Sequence, residues 1–315
     1  MQKTHPERLY KYRDFSDRTV QMLISDVLFF ADPSDFNDPL DTKPCLDADI
    51  ENQRLKDLLG NLVSQRQKAE MEAAANSLKY KGPKTKAHIF KQSASAANQA
   101  ISHILYNASN LDCDDTDALK MHLAAEIERE LLERYDAGIF SLAESSICPL
   151  MWSHYGDQHK GICLGYSVPS SSSDDVRKVE YGKDRLVRAS DAMAMLTGDS
   201  KAKRNVEDAV LLRKAPDWKY EREWRLIGQK GLHRSPLELE EVIFGLRCST
   251  GVIFSLTKAL GGRRKAVKFY KIQEQKPSFE LVKVEADLEE MHARFPWRSL
   301  DVEDAFRSVK VLPVK

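Results

Sequence analysis

A long stretch of helical period, set between groups of short strand-like runs, constrains the fold of this chain most. From about Leu46 to Tyr135 the sequence is rich in Lys, Glu, Gln and Ala. Leu55, Leu58, Leu59 and Leu62 form one apolar stripe there, and Leu119, Leu123, Ile127 and Leu131 form another at steps of four. Gly82-Pro83 breaks the pattern between them. The stretch is expected to be a helical insertion of three or four helices, spanning residues 46–135. Packing on a sheet is the favoured role for its stripes. A substrate lid, or a surface for a protein partner, is the functional alternative.

The flanking sequence has strand character. Leu9-Tyr10-Lys11-Tyr12-Arg13 reads as an aromatic opening strand, and Val27-Leu28-Phe29-Phe30 as the next. Between them Ser16 is placed to cap a helix whose face is Val20, Leu23, Ile24 and Val27. After the insertion, strands are expected near residues 138–142, 161–166, 179–181, 223–227, 241–244 and 267–272. Helices are expected at 207–214, 286–293 and 302–309. The serines at 170–173 and the basic Gly261-Gly262-Arg263-Arg264 read as loops. The sum is an α+β fold, a mixed or antiparallel central sheet with a helical insertion, in one domain over residues 1–315.

A length of 315 residues permits one large domain or two small ones, and 42% hydrophobic content suffices for a core. Lys+Arg and Asp+Glu are both 48, so net charge draws the chain neither to nucleic acid nor to an anionic membrane. The five cysteines are scattered and form no CxxC pair, so they are expected to be reduced thiols in a reducing, cytoplasmic setting. Residues 1–8 are polar, so no signal peptide is expected. No apolar run reaches the ~18 residues of a membrane span, and no membrane partner is expected.

Four segments carry candidate chemistry. The first is the Tyr10-Lys11-Tyr12 strand. The second is Phe36-Asn37-Asp38-Pro39-Leu40-Asp41, where Asn37 and Asp38 favour side-chain-to-backbone turns and a rigid turn explains the motif as well as a ligand role does. The third is Met151-Trp152-Ser153-His154-Tyr155. Its rings could stack on a base or nicotinamide, and His154 could move a proton near neutral pH. Read alone, it is better explained as a half-buried aromatic layer. The fourth is Trp218-Lys219-Tyr220-Glu221-Arg222-Glu223-Trp224-Arg225. Strand alternation puts Glu221, Glu223 and Arg225 on one face and Trp224 and Leu226 on the core face. Two carboxylates so placed can divide acid–base or electrostatic labour, whereas a solvated Glu–Arg ladder is the structural alternative.

In these segments the chain resembles the bacterial DUF2971 family, whose function is unknown. The resemblance rests on the Tyr-rich strand, the FNDP turn followed by Asp41, the MWSHY segment leading to Gly161, and YEREWR, with Lys214 ahead of the last motif. The order of these parts is also similar to ADP-ribosyltransferase folds, with their split sheet. That similarity implies Arg13, Ser141 and Glu223 in the Arg, Ser and Glu places, with Glu221-Arg222-Glu223 as an E-x-E. Lys11 stands where the other branch has His, which departs from that branch.

The similarity implies NAD as cofactor and an NAD-dependent ADP-ribosyltransferase or NAD glycohydrolase. Glu223 would stabilise an oxocarbenium-like sugar, with Glu221 beside it. Arg13 would grip the pyrophosphate or ribose. Ser141 would bond the nicotinamide amide or support Glu223. Tyr10, Lys11, Tyr12, Asn37, Asp38, Trp152, His154, Tyr155 and Arg225 would hold the nucleotide. The acceptor is open, a protein or a nucleic acid among the candidates. Two rivals stand beside this expectation. One is a metal-dependent nuclease or phosphodiesterase built from Asp38, Asp41, His154, Glu221 and Glu223. The other is a non-catalytic sensor or adaptor acting in phage defence.

Overall fold

The structure, a computed structural model, describes residues 5–80, 82–109, 115–172 and 175–294. They fall into two compact units. One takes the described residues of 1–27, 142–173 and 234–315, and the other those of 28–141 and 174–233. The largest sheet has eight strands, in the order Leu281–Glu285, Lys268–Glu274, Glu238–Phe244, Ile162–Ser167, Leu9–Arg13, Gly138–Ala143, Glu223–Gly228 and Val176–Lys178. Lys268–Glu274 runs parallel to Glu238–Phe244, while Leu9–Arg13 is antiparallel to both its neighbours. The fold is therefore α+β on a mixed sheet. Among the described residues, no helix is long and apolar enough to cross a membrane.

In the first unit, Ser16 caps helix Asp17–Ser25 as its position predicts. The buried face differs from the expected one. Thr19, Met22 and Leu23 are inside, whereas Ile24 is 63% exposed. Asp26 turns left-handed and ends the helix, so Val27 belongs to the strand Val27–Phe30 and cannot complete the stripe.

A second helix, Pro149–Tyr155, is followed by three successive non-glycine residues in the left-handed region, Asp157, Gln158 and His159, with φ of 47°, 51° and 69°. Each such residue costs about 1–2 kcal/mol. Two glycines let the surroundings close around this turn. A Cβ on Gly161 would lie 2.1 Å from the Arg13 carbonyl oxygen, and one on Gly245 would lie 2.2 Å from that of His159.

In the second unit, the Lys/Glu/Ala-rich stretch folds as three helices, Asn52–Ser77, Thr85–Ser109 and Asp115–Arg134. Leu55, Leu58, Leu59 and Leu62 meet Leu123, Ile127 and Leu131 in one core, joined by Val206 and Val210 of helix Ser200–Leu211 and by Ile139 of the sheet. Each fully buried Leu contributes about 1.5–3 kcal/mol. The stripes thus pack mainly on one another and on neighbouring helices. Helix Ser200–Leu211 stops short of the expected 214, because Arg213–Lys214 pairs as a short parallel strand with Glu180–Tyr181. Residues 170–172 form a single 3₁₀ turn, and the rest of that serine run lies outside the described residues, as does the expected helix at 302–309.

Candidate functional site

Strand Glu223–Gly228 starts from a kink. Pro216–Glu221 is a 3₁₀ turn, and Arg222 adopts the left-handed backbone (φ 45°) before Glu223 enters the sheet. Glu221 is therefore not a strand residue. It meets Glu223 because the chain turns at Arg222, not through the period-two alternation expected from sequence.

Lys214 Nζ sits among three carboxylates, 2.6 Å from Glu221, 3.1 Å from Glu223 and 3.4 Å from Asp41. Arg225 donates from Nε to Glu223 at 2.9 Å, from Nη2 to Asp41 at 2.6 Å, and from Nη1 to the Leu211 carbonyl at 2.7 Å. The Phe36 ring lies 5.6 Å from the guanidinium carbon. Trp218 Nε1 donates to Asp38 at 2.8 Å while its ring faces Lys214 Nζ at 5.3 Å. Asp38 also accepts from Leu40 N–H, the side-chain-to-backbone turn its sequence predicts. The FNDPLD turn and the YEREWR segment, 184 residues apart at the Asp41–Arg225 contact, thus form one cluster.

All five ionisable groups of the cluster are buried, Arg225 completely, which excludes a solvated ladder. Burial alone would raise the pKa of Glu223, but the adjacent Arg225 and Lys214 and hydrogen bonds from Arg225 and Ser141 outweigh it and hold the carboxyl at about 2. Burial pulls Lys214 the other way, yet Glu223, Glu221 and Asp41 raise it above its ordinary value. Arg225 is raised for the same reason, by Glu223 and Asp41. Tyr181, whose hydroxyl accepts from Glu223 N–H at 2.7 Å, is kept neutral chiefly by burial. The arrangement supplies a fixed carboxylate, not a proton acceptor for neutral pH.

Asp41 also faces a cavity of about 410 Å³, shared with Phe36, Asp38, Tyr135 and Leu211. Among the described residues, no group of three or more His, Cys, Asp or Glu side chains is arranged to hold a metal ion. Lys214 Nζ takes the centre between the three acids.

The remaining candidates lie in the first unit, apart from Asn37, an exposed residue of the FNDP turn. Arg13 donates to Met22 Sδ at 2.7 Å, and burial lowers its pKa. Tyr12 is buried, gives its hydroxyl proton to the Ser145 carbonyl, and meets Trp152 edge to face. Trp152 is fully buried and donates to the Ser146 carbonyl, and His159, rather than His154, stacks on its ring. His154 is exposed and Tyr155 half-buried, their rings 6.3 Å apart. Lys11 is half-buried on the opening strand.

Tyr10 belongs to a second charge network. Its hydroxyl bonds to Glu241, which is fully buried and held by Arg8 at 3.0 Å and Lys283 at 2.9 Å. Gly165 makes room for this acid, since a Cβ there would lie 2.5 Å from Glu241 Cγ.

The assembled cluster and its surroundings can now be set against known families. Residues 151–226 match the model of DUF2971, a protein of unknown function. The match includes Trp152, Lys214, Trp218, Glu221, Glu223 and Arg225, and stops short of Asp41 and the opening strand. No curated protein and no solved structure matches the chain.

Lys214 is the residue that sequence reasoning undervalues. Its signal is a lysine directly after the apolar Val210-Leu211-Leu212 run, where a buried charge needs partners. Tyr181 has no comparable signal, since its role rests on a backbone contact between distant strands.

Proposed function

We propose that the chain cleaves the nicotinamide–ribose bond of NAD and passes the ADP-ribosyl group to an acceptor, with Glu223 as the carboxylate that stabilises the sugar cation. The observation that carries this reading is the hydrogen bond between Ser141 and a Glu223 held ionised to about pH 2. Ser141 on a middle strand and Glu223 on a late strand are the pair that the similarity to ADP-ribosyltransferases implies. A carboxylate locked in its charged form suits a reaction in which positive charge develops on the ribose, because the attraction grows in the transition state. Glu223 then works as an electrostatic stabiliser, Ser141 positions it, and Lys214 and Arg225 keep it charged.

A second reading has its own observation. The five charged groups are buried and satisfy one another, as in a structural ion network. That favours the non-catalytic adaptor.

One experiment separates the two. Purified protein is incubated with NAD, with and without cell lysate, and free nicotinamide is followed by chromatography. The expected result is release by the wild type and none by Glu223→Gln at nearly unchanged melting temperature. No release by the wild type under either condition sinks the enzymatic reading.

A further inference from the structure

The cavity beside the cluster does not end at its own walls. Tyr135, Asp136 and Leu211 also line a second space of about 350 Å³, which continues among Arg177, Glu207 and Ile227. The two form one trough within the second unit. Its walls are apolar and aromatic in part, with Phe36 and Tyr135 offering ring faces. Burial, and then Glu207, push the Tyr135 hydroxyl up to about 12, so this ring stays neutral.

The trough already holds cations of the protein's own. Lys230 places its ammonium between Asp32 and Asp136 on the cavity lining. Arg225 places its guanidinium between Asp41 and the face of Phe36, both lining residues. Acids remain in excess after these pairings: the two spaces together are lined by seven carboxylates against four Lys and Arg side chains. Glu133 at one end and Asp175 at the other are exposed carboxylates.

A ligand suited to this lining has an alkyl chain for the apolar walls and a cationic head for an acid beside a ring. We infer that the trough is a binding site for an alkyl guanidinium or alkyl ammonium group, carried either by a free polyamine or by a basic side chain of a peptide. The inference stands apart from the NAD reading, since it concerns binding alone.

The test is calorimetric titration of the full chain, without NAD, using agmatine, spermidine and an arginine-containing tripeptide as separate probes. Saturable binding that weakens with added salt is expected for at least one probe. The double variant Glu133→Gln/Asp175→Asn should bind about tenfold more weakly at an unchanged melting temperature, because both residues are exposed and neither touches the core. Binding by the tripeptide assigns the site to peptides, and binding by the free amines alone assigns it to polyamines. No saturable binding of any probe at millimolar concentration, or equal affinity in the double variant, overturns the proposal.

Discussion

The two units each bury an ion network, and the networks solve the problem of buried charge differently. In the first, one carboxylate, Glu241, is fully buried under two cations whose side chains remain 30% and 25% exposed. The surplus charge there is positive, and the long stems of Arg8 and Lys283 carry it to water. In the second, Asp41, Glu221 and Glu223 share Lys214 and Arg225, and none of the five side chains is more than 6% exposed. The surplus there is negative and stays inside. A buried ion network seldom stabilises a fold more than well-packed apolar side chains would. The first network can be read as structure. The second keeps an acid excess that stability does not explain, and this makes it the better candidate for chemistry.

Breaking one cation in each network gives the largest contrast. Arg225→Met leaves Asp41 and Glu223 short of a partner in the interior and should cost about 3–5 kcal/mol in urea denaturation. Arg8→Met leaves Glu241 with Lys283 and Tyr10, and should cost about 1 kcal/mol or less. Equal costs would erase the distinction.

A smaller effect should appear with pH. The folded pKa of Glu223, about 2, lies below the ordinary carboxylate value of about 4.3. Its contribution to stability is therefore complete above that ordinary value and is lost as pH falls through about 2. Subtracting the acid-unfolding profile of Glu223→Gln from that of the wild type should show the loss in that window. A difference that instead vanished between pH 6 and 5 would mean that the carboxyl is not held ionised.

The smallest effect tests the steric fit of the first network. Gly165→Ala sets a methyl against Glu241 Cγ and should cost about 1–3 kcal/mol. Much of that should return in Gly165→Ala/Glu241→Ala. Absence of any recovery would place the strain elsewhere.

Local order was the legible part of this sequence. The stripes of Leu55–Leu62 and Leu119–Leu131 announced helices because period is a short-range property, and Ser16 and Asp38 announced their own turns. Errors of detail came where a neighbour far in sequence decided the matter. Ile24 faces solvent because Asp26 breaks the helix early. Lys214 left the expected helix because Tyr181 supplied a strand to pair with. In the candidate site, the likeness in motif order brought Ser141 to Glu223, and the acids at 221 and 223 were rightly joined though for the wrong geometric reason. Glu241 went unnoticed. Its only trace in sequence is an acid directly before an apolar Val242-Ile243-Phe244 run, and only the register opposite Gly165 gives that trace meaning.

The pairing of the opening strand has a consequence for how the chain is made. Leu9–Arg13 is hydrogen-bonded to Ile162–Ser167, which in turn pairs with Glu238–Phe244. A ribosome adding about 5–20 residues per second would deliver these partners many seconds after the first strand. Until then a nascent chain carries Tyr10 and Tyr12 on an open β edge, a surface prone to pairing with other chains. The second unit has all its segments by residue 233, before the last strands of the first have been synthesised. Chaperone demand during synthesis should therefore fall on the N-terminal strand, and slowing translation should lengthen its exposure.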